Sequence, residues 1–285
     1  MPSDRAIVVH ASVEALALAA AERLAGLVAG TERRPFFLAL AGGATPKRLY
    51  ELLASDRFRE RIAWDRLELF FADERTVPPD HPDSNFAMVA RALLAHVPVK
   101  AHCMPAEAGD AEAYARLLAT RIPARRDGVP VLDLVLLGVG ADGHTASLFP
   151  GTAALDETRR WVVMNEVPSL GTHRMTFTYP LINAARRVWV MGTGEAKREI
   201  VARCLRTCAP ARGEGVSTGG GDDPGCVVRD KPGGADPGKA GNAAPWRRWP
   251  IMGVRPHAGH LVWWLDEAAA GGAFTPGTGG IGVPT

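Results

Sequence analysis

Three groups of side chains in this sequence are placed where they could do chemistry. The first is Asp142-Gly143-His144. An imidazole titrates near neutrality and can take a proton from water, and a carboxylate two residues away can orient the ring or stabilise its charged form. Gly143 between them permits the tight backbone bend that a loop lined by both side chains needs. The competing reading is a histidine that only caps the following turn. The second group is cationic. Arg75 follows Asp73 and Glu74, and its planar fork matches phosphate oxygens unless those two carboxylates hold it in a local salt bridge. Arg174 and Lys197 add positive charge. Lys197 falls in the first turn of a helix, where a cation opposes the helix dipole, a cost that is tolerable if the side chain meets an anion. A solvated lysine is the alternative. The third group is Gly42-Gly43-Ala44-Thr45-Pro46, which joins a strand to a helix N-terminus. Glycines let the backbone approach a ligand closely, and unpaired amides with the helix dipole favour an anion. A tight turn without a ligand is the alternative, and the segment is neither a Walker A loop nor Gly-x-Gly-x-x-Gly.

Other chemistries find little support. No Gly-x-Ser-x-Gly elbow is present, and Ser147, although near His144, lacks that flanking pattern. There is no His-Glu-x-x-His segment, and Cys103, Cys204, Cys208 and Cys226 form no Cys-x-x-Cys pair, so no metal site is expected. His10, His81, His96, His102, His173, His257 and His260 have no comparable neighbours and read as surface or loop residues.

The elements that must position these groups alternate between helix and strand patterns. Ser12 to Val28 shows the three-and-four spacing of a helix with one buried face. Phe36 to Ala41 is a short continuous apolar run, as in a strand covered on both faces, Leu67 to Ala72 reads as a strand and Leu132 to Leu137 as another buried one. Thr45 reads as the N-cap and Pro46 as the first residue of a helix through Leu53. Ser84 to Leu94 and Ala111 to Ile122 read as further helices. Trp161 to Asn165, Met175 to Tyr179 and Val188 to Met191 are weaker strand patterns, and Leu261 to Leu265 is strand-like. Asp266 then caps a short alanine-rich helix. The resulting expectation is an α/β fold, a Rossmann-like three-layer sandwich with a mostly parallel sheet and helices on both faces.

Four segments begin where an apolar strand stops: Gly42-Gly43, the charged turn Asp73 to Arg75, Gly138 to His144, and Gly192 to Lys197. In an open parallel sheet the carboxyl ends of the strands share one edge, where ligands bind, so these segments are expected to converge. Residues 205–250 break the pattern. They are rich in glycine and proline with almost no apolar periodicity, and read as a mobile low-complexity insertion at about 206–248. The tail over 271–285 is expected to fray.

Composition bounds the rest. The 285 residues are 47% hydrophobic and 22% charged, with 33 Lys plus Arg against 31 Asp plus Glu, a formal net charge of +2. That is ordinary globular composition, with no electrostatic case for a nucleic-acid binder. No apolar run approaches a membrane span, and the N-terminal residues do not read as a secretory signal, so the cytoplasm is the expected address.

Several of these segments resemble the 6-phosphogluconolactonase family: Ala41 to Pro46, Phe71 to Arg75, Asp83-Ser84-Asn85 and, most specifically, Gly138 to Gly151. Arg174-Met175-Thr176, Gly192 to Lys197 and Val262 to Ala268 are similar to the same family. The resemblance covers about residues 5–204 and 249–270. It implies a fold shared with glucosamine-6-phosphate deaminases and ribose-5-phosphate isomerases. It also implies hydrolysis of 6-phosphogluconolactone to 6-phosphogluconate in the oxidative pentose phosphate pathway, without a required cofactor. His144 is then the general base, Asp142 its support, and Arg75, Lys197 and Arg174 the phosphate ligands, with the Gly42, Gly43 and Thr45 loop. A small phosphorylated sugar lactone is the expected partner, with no nucleic acid or membrane, in a monomer or weak homo-oligomer. One domain over 1–270, interrupted by the insertion, is expected, and deletion of 211–244 is expected to leave activity intact or improve stability. A deaminase would also present an Asp-Gly-His turn, but Thr145 to Phe149 favours the lactonase side. A non-catalytic sugar-phosphate sensor is the other rival, against which the retained His144 argues.

Overall fold

The computed structural model describes residues 4–32, 35–206, 226–229 and 244–271. Among the described residues the central sheet contains eight strands. In chain order these are β1 (Asp4–His10), β2 (Phe36–Leu40), β3 (Leu67–Phe71), β5 (Lys100–Ala101), β6 (Leu134–Gly138), β9 (Arg187–Gly192), β10 (Cys226–Arg229) and β11 (His260–Asp266). Their spatial order is β10-β1-β11-β9-β6-β2-β3-β5, and every pairing is parallel except β10 with β1. The five residues of β2 and of β3 are all buried, as the unbroken apolar sequence of β2 requires in a sheet covered on both faces, and β3 buries one charged residue, Glu68, among its apolar ones. The α/β three-layer arrangement expected from the alternating pattern is the one observed.

Helix α1 (Val13–Gly30) is capped by the Ser12 side chain, which accepts from the Ala15 amide at 3.2 Å. It buries Leu16, Ala20, Leu24 and Val28 and leaves Val13 exposed. Helix α2 (Ala44–Ala54) starts two residues earlier than its sequence suggests: Gly43, not Thr45, is the N-cap, and Pro46 is the third helical residue rather than the first. Gly43 has φ +103, which glycine adopts at little cost.

A second sheet is the main departure from the sequence reading. Asp73 to Arg75 is not a turn but a short strand, β4 (Asp73–Arg75), at the edge of an antiparallel sheet with β7 (Val162–Val167) and β8 (Thr172–Phe177) in the order β4-β8-β7. The two sheets are joined at Ala72, whose amide donates to the Leu40 carbonyl at 2.9 Å and whose carbonyl accepts from Phe177 at 2.8 Å. This small sheet therefore stands on the carboxyl edge of the large one. Ser84 caps helix α3 (Asn85–Val89), which continues as a π turn over Ala90–Leu94.

Two short elements fall within the stretch 206–248. Cys226–Arg229 forms β10, and Pro245–Arg248 is a helical turn with Trp246 buried. The remainder of that stretch, and the tail beyond Gly271, lie outside the described residues.

His102 also departs from expectation. It is part-buried beside the buried Glu68, with Nε2 2.9 Å from Oε2, and stacks on Phe70 at 4.8 Å. The residues involved are too far apart in sequence for a local pattern to reveal the contact.

Candidate active site

The four strand-end segments do converge. A cleft of about 280 Å³ at the carboxyl edge is lined by Gly42 to Pro46, by Asp73 and Arg75, by Gly138, Val139 and His144, and by Gly192, Thr193 and Lys197. Ala41, Asn85, Ala146 and Met191 complete it.

On one side lies the Asp142-Gly143-His144 turn that follows β6. The His144 Nδ1 is 2.6 Å from the Asp142 Oδ1, and the same oxygen accepts the His144 amide at 3.1 Å. A carboxylate against Nδ1 places the proton there and leaves Nε2 as the basic nitrogen. The ring stacks on Phe149 at 4.2 Å, which fixes its plane. Gly143 has φ +84, so the bend expected of it is present. Ser147 is no nucleophile: it is buried and donates to the Asp73 Oδ2 at 2.7 Å.

Arg75 and Lys197 bring cationic side chains to the same cleft. The Glu74 carboxylate is saturated by the amides of Arg75, Asn85 and Phe86, each at 2.7 Å, and by the Ser84 hydroxyl at 3.0 Å. Asp73 is taken by Ser147 and Asn85. Neither carboxylate therefore pairs with the Arg75 guanidinium, which donates to the Asp83 carbonyl at 2.5 Å. The local salt bridge considered from sequence is not formed.

Arg174 does not line the cleft. It sits directly across from Arg75 in the β4–β8 pairing. Burial, and then the Arg75 charge, lower the Arg174 pKa, and Nε of each arginine is buried without a hydrogen-bond partner. Two adjacent guanidinia in this condition are stabilised by an arriving anion. The α2 N-terminus adds to this field, since Gly43 supplies no side-chain cap and the first amides of α2 lie at the cleft.

Thr45 is engaged in a way its sequence does not show. Its hydroxyl lies 2.6 Å from the Thr193 hydroxyl, tying the α2 loop to the loop after β9. That second loop is anchored in turn by the Gly194 amide on the Asp266 carboxylate at 3.0 Å. Asp266 also caps helix α7 (Glu267–Ala270), as expected, through the Ala269 amide at 2.8 Å. Asn85 and Thr193 are residues of the cleft that sequence reasoning did not single out. The only signal for Thr193 was its place between Gly192 and Gly194. Among the described residues no cluster of three or more His, Cys, Asp or Glu could hold a metal.

An open parallel sheet whose carboxyl edge gathers a histidine, an arginine, a lysine and a helix N-terminus places this chain among α/β proteins with an anion-binding site at that edge. The chain belongs to the glucosamine-6-phosphate isomerase/6-phosphogluconolactonase family, whose model it matches over residues 11–220. It is 42% identical over 181 residues to a 6-phosphogluconolactonase of a Nostoc strain, covering 61% of this chain and 73% of the relative. With a 6-phosphogluconolactonase of Synechocystis it shares 40% identity over 245 residues, 84% of this chain and 85% of the relative. The solved 6-phosphogluconolactonase of Trypanosoma brucei superposes with a TM-score of 0.69 at 30% identity, covering 95% of this chain and 98% of that one. These relatives place the chain on the lactonase side of the family.

Proposed function

We propose that this chain hydrolyses 6-phospho-D-glucono-1,5-lactone to 6-phospho-D-gluconate, in the oxidative pentose phosphate pathway, with His144 as general base. The observation that supports this best is a carboxylate-held imidazole sharing a small cleft with Arg75, Lys197 and the α2 N-terminus. The phosphate binds these cationic groups, and Arg174 reinforces the field of Arg75 from behind. Anchoring the phosphate fixes the lactone carbon within reach of a water on Nε2 of His144. His144 removes the proton as the water oxygen bonds to the carbonyl carbon, and Asp142 stabilises the imidazolium. The tetrahedral intermediate then collapses, the bond between that carbon and the ring oxygen breaks, and His144 returns the proton to the departing ring oxygen. No helix among the described residues is long and apolar enough to cross a membrane, and this reading assigns the enzyme to the cytoplasm.

Acid release from freshly generated lactone, corrected for spontaneous hydrolysis, tests the proposal. His144→Ala is expected to lower kcat by about 10²-fold or more, with inhibition by 6-phosphogluconate retained. Arg75→Ala is expected to raise KM and weaken that inhibition. Equal rates for wild type and His144→Ala remove His144 from the mechanism. Ammonia release from glucosamine-6-phosphate would move the chain to the deaminase side.

A further inference from the structure

The Asp-Gly-His turn is closed within itself by two backbone bonds, Gly140 amide to His144 carbonyl at 2.8 Å and Gly143 amide to Gly140 carbonyl at 3.0 Å. At the apex of the turn, the Gly143 carbonyl accepts the Ile251 amide at 2.9 Å. The approach is close: a Cβ on Gly143 would lie 2.9 Å from the Trp249 Cα. The segment that makes this contact is the short helical turn Pro250–Gly253, which is itself held from a third element. Tyr179, the first residue of helix α5 (Tyr179–Ala184), donates its hydroxyl to the Pro250 carbonyl at 2.7 Å. Asn183 of the same helix donates to the Gly253 carbonyl at 3.0 Å and accepts the Arg255 amide at 2.7 Å. The ring of Tyr179 lies against Gly253, where a Cβ would come within 2.4 Å of it.

We propose that Pro250–Gly253 is a brace for the general base, and that Tyr179 is a positioning residue that sets His144 through Pro250, Ile251 and the Gly143 carbonyl. The inference rests on the reading of His144 as general base. Tyr179 is absent from the cleft lining, so it acts on the reaction at a distance, through contacts such as these. Burial raises the Tyr179 pKa, so the phenol keeps the proton it donates. Its hydroxyl acts on a carbonyl one residue before the amide that holds the turn. The rest of α5 and Asn183 secure the segment as a whole, so removing the hydroxyl relaxes the apex of the turn without unfolding it.

Tyr179→Phe keeps the ring against Gly253 and removes only the donor. A displacement of the base at this distance from the chemistry is expected to lower kcat about tenfold, with KM and 6-phosphogluconate inhibition unchanged. The ¹H–¹³C signal of the His144 ring, assigned by its loss in His144→Gln, is expected to move in Tyr179→Phe, because the ring's setting against Asp142 and Phe149 changes. A merely structural role would lower the melting temperature or the active fraction and leave that signal in place. Wild-type kcat in Tyr179→Phe, or lowered kcat with an unmoved His144 signal, overturns the inference. If His144→Ala keeps full activity, the general-base reading itself fails, a result separate from either outcome for Tyr179.

Discussion

A Cβ on Gly140 would lie 2.1 Å from the His144 Nδ1 and 2.5 Å from the Asp142 Oδ1, so the imidazole–carboxylate pair occupies space that any other residue would fill. Gly42 stands in the same relation to Asn85, whose Oδ1 would be 2.0 Å from a Cβ there. Both glycines belong to segments whose polar residues are easy to notice in sequence, yet the need for each comes from a neighbour's side chain. Gly140→Ala is therefore expected to fold and bind 6-phosphogluconate while kcat falls by about 10²-fold, measured by the same acid-release assay. An unchanged kcat would show that the pair has room to spare. Sequence alone made His144, Asp142 and Arg75 legible because their residue types are chemically unusual at strand ends. It left open whether Arg75 was spent on Asp73 and Glu74, because only the fold reveals that Ser84, Ser147 and three amides have already occupied those carboxylates.

At the level of elements, strands β2, β6 and β9 are legible because buried parallel strands are written as apolar runs, and β3 is legible despite Glu68. Of the antiparallel sheet, β7 and β8 overlap the weaker strand patterns at Trp161 to Asn165 and Met175 to Tyr179, but β4 and its pairing have no such signal. Three residues of β4 carry two carboxylates and a guanidinium, and their extended conformation is imposed by β8 rather than by propensity. The same limit hid the cluster at the other end of β3. Burial tends to raise the Glu68 pKa, but Arg121, His102 and Lys100 more than offset it and hold the carboxyl at about 2. A carboxyl held below its unfolded value of 4.5 stabilises the fold above that pH, and the contribution is lost as pH falls from there through about 2. Glu68→Gln is expected to destabilise the protein at pH 7 by about 2 kcal/mol, allowing for solvent screening at the partly exposed Arg121. It should also flatten the decline in stability between pH 4.5 and 2. Denaturant midpoints across that range measure both, and parallel acid limbs for the two proteins would contradict the assignment.

For the molecule as a whole, the parallel topology brings together loops that lie about 150 residues apart in sequence, as the Thr45–Thr193 contact shows directly. That convergence was legible because a parallel sheet has a single carboxyl edge. What was not legible is how much of the site is buttressed from the C-terminal part of the chain: Ile251 holds the Gly143 carbonyl, and Asp266 holds the loop bearing Lys197. Neither residue has a chemical signature at its own position, since a backbone amide and a helix cap are common everywhere. On the proposed reading one ligand spans the cleft, its phosphate and its lactone-derived carboxylate held by different residues. A crystal structure with 6-phosphogluconate bound is the test. The phosphate is expected on Arg75, Lys197 and the first amides of α2, and the carboxylate derived from the lactone carbonyl within about 3.5 Å of the His144 ring. A phosphate beside His144, or a sugar held away from the Gly42-Gly43 loop, would contradict it.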